Sequence, residues 1–165
     1  MGPTALMPVF FRSYIRSMTV DRVRLLQLAQ AVVAEAGESS SDLGLSFIGD
    51  RRMRQLNQRF RGKDRSTDVL AFAAREARMP HVGRGTPRPL GDVVISVPTA
   101  MRQAKEAQRS LDEEIVALLV HGVLHLCGYD HERSKEEALR MQRRERMVRR
   151  GLGKIPCFVR QARGQ

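Results

Sequence analysis

Apolar residues recur along this chain with two periods, and the period sets the element. Alternation marks a strand; apolar residues three and four apart share one face of a helix. After a short lead-in, Pro8–Ile15 reads as a first strand. Thr19 or Asp21 opens a helix with Val23, Leu26, Ala29 or Gln30, and Val33 on one side, and Gly37 ends it. Glu38–Asp42 is a polar loop, and Leu43–Ile48 alternates weakly as a strand. Asp50 caps a short helix with Met53, Leu56 and Phe60 at helical spacing. Gly62-Lys63-Asp64 then turns the chain into a strand over Thr67–Phe72. Ala74–Pro89, rich in Arg, Gly and Pro and without a period, reads as a mobile loop.

Leu90–Val97 is the best strand of the chain, with four β-branched residues. Pro98 suits the first turn of a helix running to about Gln108. Leu111–Leu126 is the most apolar helix, burying Ile115, Leu118, Leu119, Val123 and Leu126, with His121 and His125 on a neighbouring face. Ser134-Lys-Glu-Glu137 is a capping box opening a last helix. Its apolar side uses Leu139, Met147 and Val148, its other side is rich in arginine, and Gly151 stops it. These elements predict an α/β (α+β) fold: a small mixed sheet packed with helices, the histidine helix beneath it, and a site opening beside a strand edge. With neither a repeat nor a boundary, residues 1–165 read as a single domain with flexible tails over 1–7 and 154–165.

Composition sharpens this picture. A net charge of +11 points to a polyanionic partner. The charge is concentrated: between Leu139 and Gln165 there are nine Lys or Arg and a single acid, Glu145. Nucleic acid explains this better than a merely solubilising helix does. Aromatic residues at 5%, with no Trp, argue against stacking platforms as the main grip on RNA. Cys127 and Cys157 make no disulfide framework. No apolar run approaches the ~20 residues of a membrane span. The N-terminal patch Met7–Phe11 lacks the preceding charge of a secretory signal.

The most informative chemistry is His121-Gly-Val-Leu-His125-Leu-Cys-Gly128-Tyr-Asp-His131. Two histidines four apart project from one helical face, and Gly128 lets the helix stop so that His131 can swing back. Three neutral imidazoles on one side of an ion leave a fourth position open, as in a catalytic zinc site. The metalloprotease version of this spacing carries Glu after the first histidine as general base; here Gly122 stands there, which disfavours peptide hydrolysis. Zinc lowers the pKa of its water to about 7 and polarises a phosphoryl oxygen. An anionic phosphodiester also requires cations. Arg61 is a candidate, because guanidinium grips phosphate bidentately, but spacing does not separate it from a surface charge ending a helix.

The histidine segment resembles the signature of the YbeY-type endoribonucleases, also called ribosomal RNA maturation factors. Leu56-Asn57-Gln58-Arg59-Phe60-Arg61-Gly62-Lys63-Asp64-Arg65-Ser66-Thr67-Asp68-Val69-Leu70-Ala71-Phe72 and Leu90-Gly91-Asp92-Val93-Val94-Ile95-Ser96 resemble two further family segments, in the same order. The likeness runs from roughly residue 20 to 152. It implies a zincin-like fold, one zinc ion held by His121, His125 and His131, and a functional arginine at Arg61. It further implies a cytoplasmic role in ribosomal RNA maturation, with processing of the small-subunit 3′ end, ribosome quality control, and the small subunit and its proteins as partners. Ala71 and Ala73 depart from the Ser and Pro common in the family around Phe72, which puts substrate contacts from that strand in doubt.

Other residues are read more plainly. His81 is a loop histidine, Cys127 a small buried thiol, Tyr129 a packing residue and Asp92 a structural hydrogen-bonder. Asp130 either orients an imidazole or caps the next turn. Lys63 and Arg65 either grip phosphates or belong to a solvated turn. A non-catalytic, metal-stabilised ribosome-assembly factor is the competing reading, favoured by the missing general base.

Overall fold

The alternation in Ser41–Ile48 sends Leu43, Leu45 and Phe47 to one buried side, and this strand organises the sheet. A computed structural model describes residues 8–77 and 88–162. In it, β1 (Val9–Ser13) and β3 (Ser41–Ile48) run parallel, as do β3 and β5 (Arg88–Ser96). β4 (Val69–Ala73) pairs antiparallel with β5, giving the order β1-β3-β5-β4 with β4 at an edge. A second ladder pairs β2 (Met18–Val20) with β6 (Val159–Gln161).

Helices α1 (Arg22–Glu35), α2 (Asp50–Arg61), α3 (Val97–Glu106), α4 (Leu111–Leu126) and α5 (Lys135–Leu152) cover this sheet. The main core joins α1 and α4 to the face carrying Leu43, Leu45, Phe47, Val93 and Ile95. On the opposite face Met53 and Leu56 of α2 cover Ile48, Leu70 and Val94. α4 is buried on nearly every side, as its uniform apolarity requires. Each fully buried Leu, Ile or Phe there stabilises the fold by roughly 1.5–3 kcal/mol.

The expected mixed sheet packed with helices is what forms, and α4 has the expected bounds. Several details differ. α1 buries Leu25, Leu28, Ala29, Val32 and Val33, while Val23 is exposed, so the core side is rotated from the one expected; of the two expected openers, Asp21 caps the helix. Thr19 instead lies in β2. Gly49 is the cap of α2, and Asp50 is its first helical residue. The Asp50 carboxylate ties α2 to α3, accepting from Ser96 and Thr99 hydroxyls at 2.6 and 2.7 Å and from Arg102 at 2.8 Å.

Helix α5 buries Met141 and Val148 and leaves Leu139 and Met147 exposed. It runs through Gly151 and stops at Gly153. Ala74–Ala77 forms a short 3-10 turn and Arg88 and Pro89 belong to β5, so both ends of the expected loop are ordered into elements; its residues 78–87 lie outside the described residues. Residues 154–162, expected within a flexible tail, carry β6 and a buried Phe158. Buried Asp112 of α4 explains this: its Oδ1 accepts the backbone N–H groups of Phe158 and Val159 at 2.7 and 2.9 Å.

Candidate metal centre and its cleft

The last turns of α4 carry His121 and His125 on one face, beside the edge strand β4. α4 ends at Leu126 with Cys127 as its cap, and Gly128 follows with φ +101°, a left-handed conformation that a side chain resists. Its N–H closes onto the His125 carbonyl at 3.0 Å. The Asp130 carboxylate then accepts from Glu132 N–H at 2.9 Å and pairs with Arg133 at 3.3 Å, which fixes the turn bearing His131. The three imidazoles face one another with ring centroids 4.6–5.1 Å apart.

The candidate ligand atoms of His121, His125 and His131 lie within 4.8 Å of one another, so the group could hold a metal ion. The facing Nε2 atoms of His121 and His125 are 3.0 Å apart. Nitrogens about 2.0–2.1 Å from a tetrahedral ion stand about 3.3 Å apart, so the pair needs little adjustment. Burial first, then the neighbouring imidazoles, holds the His125 pKa down to about 4, which leaves it neutral and able to ligate near pH 7. Glu145 of α5 accepts from His121 Nδ1 at 2.7 Å. That bond selects the tautomer whose Nε2 lone pair faces the centre. Glu145 thus takes the orienting role that sequence reading gave, as one alternative, to Asp130; Asp130 is spent on its own turn.

Gly122 has a packing reason. A Cβ there would stand 2.8 and 3.0 Å from the two methyls of Val93, so α4 approaches the sheet too closely for the glutamate of a metalloprotease. Cys127 is half-buried, and burial pushes its thiol up to about 11, so it stays protonated. Tyr129 packs against the main core, as expected. Asp92 is exposed on β5. His81 lies outside the described residues.

A cleft of about 380 Å³ opens above the centre, lined by Asn57, Arg61, Lys63, Arg65, Asp68, the three histidines and Glu132. Its continuation, about 220 Å³, shares Arg61, His125 and His131 and adds Arg75 and Arg133. Its cationic wall is built locally. Gly62 ends α2, Arg54 grips Asp64 through two bonds of 2.8 and 2.9 Å, and buried Asn57 donates to the Arg65 carbonyl at 2.8 Å. These bonds hold Arg61, Lys63 and Arg65 over the histidines. Ala71 borders both parts, so the serine hydroxyl missing there is missing from the cleft wall itself. Glu132 is a second carboxylate that sequence reading overlooked; it follows a ligand candidate but belongs to no motif.

Fold and site together define an α+β protein whose edge-strand cleft presents three histidines and a row of cations. A model of the Endoribonuclease YbeY family matches residues 13–153. The chain is 49% identical over 117 residues to an Endoribonuclease YbeY of Myxococcus xanthus, covering 70% of this chain and 39% of that longer protein. It is 41% identical over 138 residues to the Anaeromyxobacter protein of that name, covering 84% of this chain and 68% of that one. The Geobacillus thermodenitrificans protein is 36% identical over 138 residues, covering 81% and 88%. The solution structure of TM1509 from Thermotoga maritima shares the fold, with TM-score 0.52 and 22% identity over 86% of this chain and 89% of that one. The chain belongs to the Endoribonuclease YbeY family. No helix among the described residues is long and apolar enough to cross a membrane.

Proposed function

We propose that this protein is a zinc-dependent endoribonuclease that cuts single-stranded ribosomal RNA during its maturation, with a part in ribosome quality control. The observation that carries this reading is the placement of His121, His125 and His131 in a cleft walled by Arg61, Lys63 and Arg65. His121, His125 and His131 would hold one zinc ion, which supplies Lewis acidity and lowers the pKa of water. Arg61 grips the scissile phosphate and meets the charge that grows on it. Lys63 and Arg65 hold flanking phosphates. Of the two carboxylates in the main cleft, Asp68 already accepts from Val69 N–H and Gln103, whereas the Glu132 side chain has no partner among the described residues. Glu132, which lines both parts of the cleft, is therefore the main-cleft carboxylate left to move a proton; Glu76 and Asp130 border only the continuation. Family membership supports RNA as substrate, and the +11 charge suits it.

The test compares wild type with His125→Ala and Arg61→Ala at equal folding, measuring zinc content and cleavage of a single-stranded ribosomal RNA fragment. The expected result is about one zinc per wild-type chain, loss of zinc and cutting in His125→Ala, and retained zinc without cutting in Arg61→Ala. A zinc-loaded wild type that binds RNA yet never cuts it would overturn the enzyme reading in favour of a metal-stabilised assembly factor.

A further inference from the structure

Helices α4 and α5 flank a second, open pocket, of about 440 Å³, away from the histidines. Arg146, Arg149, Arg150 and Lys154 line it, with Glu113 and Val116 of α4 opposite. All four cations are exposed, and none has a carboxylate partner among the described residues. Two other arginines of α5 are engaged, Arg140 pairing with Glu137 and Arg144 donating to the Glu35 carbonyl, while Arg143 lies outside the pocket lining. Glu113, the acid in the wall, is committed to the α4 capping box, where it accepts from Ser110 N–H at 3.0 Å. Four cations therefore face one acid across the pocket, an excess of positive charge that attracts an anion.

The pocket is built rather than frayed. The chain turns at Gly153, which returns Lys154 towards α4. The bonds from Asp112 to Phe158 and Val159 then pin the following segment. The pocket also lies on the same helix pair as the metal centre. Glu145 touches His121, and Arg149 and Arg150 follow about 6–7.5 Å further along α5. On α4, Glu113 lies about 12 Å back from His121.

We propose that this pocket is a second phosphate-binding site that grips the RNA chain beyond the cleft, so that long substrates are held at two points. The inference rests on the reading of RNA as the substrate. Guanidinium groups offer paired donors to phosphate oxygens, and spaced phosphates on one flexible strand can reach both sites.

The test uses the zinc-loaded full chain and the double variant Arg149→Gln/Arg150→Gln. A control variant, Arg12→Gln/Arg51→Gln, removes the same charge from β1 and α2, away from both sites. Binding of a labelled single-stranded RNA of about 20 nucleotides is followed by anisotropy against salt, with cleavage of an oligonucleotide of about 4 nucleotides as the second readout. The pocket variant is expected to bind the long RNA roughly tenfold more weakly, with a salt slope smaller by about 1.4. It should cut the short RNA at the wild-type rate, and the control should change neither readout beyond a small factor. Equal weakening by the two variants would overturn the site in favour of diffuse charge. Unchanged binding of long RNA, with loss of binding to poly-glutamate, would overturn it in favour of an acidic protein partner. A wild type that binds no RNA would sink the nuclease reading and this site together. A wild type that binds RNA identically to the pocket variant sinks the site alone.

Discussion

Glu145 offers the sharpest probe of the candidate metal centre, because it touches a proposed ligand without being one. Its carboxylate accepts from His121 Nδ1 at 2.7 Å, short enough for a charge-assisted bond. The bond holds the imidazole in one tautomer and one orientation and raises the basicity of the opposite nitrogen. Losing such a partner costs about 10–100-fold in metal affinity, or roughly 1.4–2.7 kcal/mol. Glu145→Ala should reach the upper part of that range, since it removes both charge and acceptor. Glu145→Gln keeps a neutral acceptor and should lose less. Both side chains are partly exposed, so the fold without metal should change little in stability. Zinc affinity is read by competition against a chromophoric chelator, and folding by urea unfolding of the metal-free protein. The argument fails if Glu145→Ala holds zinc as tightly as wild type while His125→Ala does not hold it.

Two further perturbations test the framework around the site. Burial works to raise the Asp50 carboxyl, but hydrogen bonds from Ser96, Thr99 and Arg102 outweigh it and hold the pKa down to about 2. A carboxyl depressed on folding stabilises the protein above its unfolded pKa and loses that contribution as pH falls towards the folded one. The stability gap between wild type and Asp50→Asn should thus be constant above about pH 5 and close towards pH 2; a gap that widens in acid contradicts it. Gly122→Ala gains about 1 kcal/mol of helix propensity but forces the Val93 methyls aside, at about 1–3 kcal/mol. Its urea midpoint should fall or stay level, and a clear rise would show that α4 has room there.

The strand and helix periods, the apolar α4 and the histidine spacing were legible along the chain because each depends on neighbours a few residues apart. A histidine pair four apart on a helix shares a face whatever surrounds it, and Gly128 permits the reversal that returns His131. The capping box at Ser110 and Glu113 was equally local and was passed over. What the sequence left open depends on residues far apart. Glu145 looked like one acid in a basic helix, and only the packing of α5 against α4 brings it to His121, 24 positions away. Gly122 reads as a departure from a peptidase motif until Val93 is seen against it. The terminal segment carries tail-like polarity, yet Asp112, 46 positions earlier, satisfies its backbone and seats Phe158 in the core. Local chemistry decided which residues could bind a metal; the tertiary fold decided which carboxylate, cation and cavity wall would meet them, because contacts of that range arise only when the helices close over the sheet.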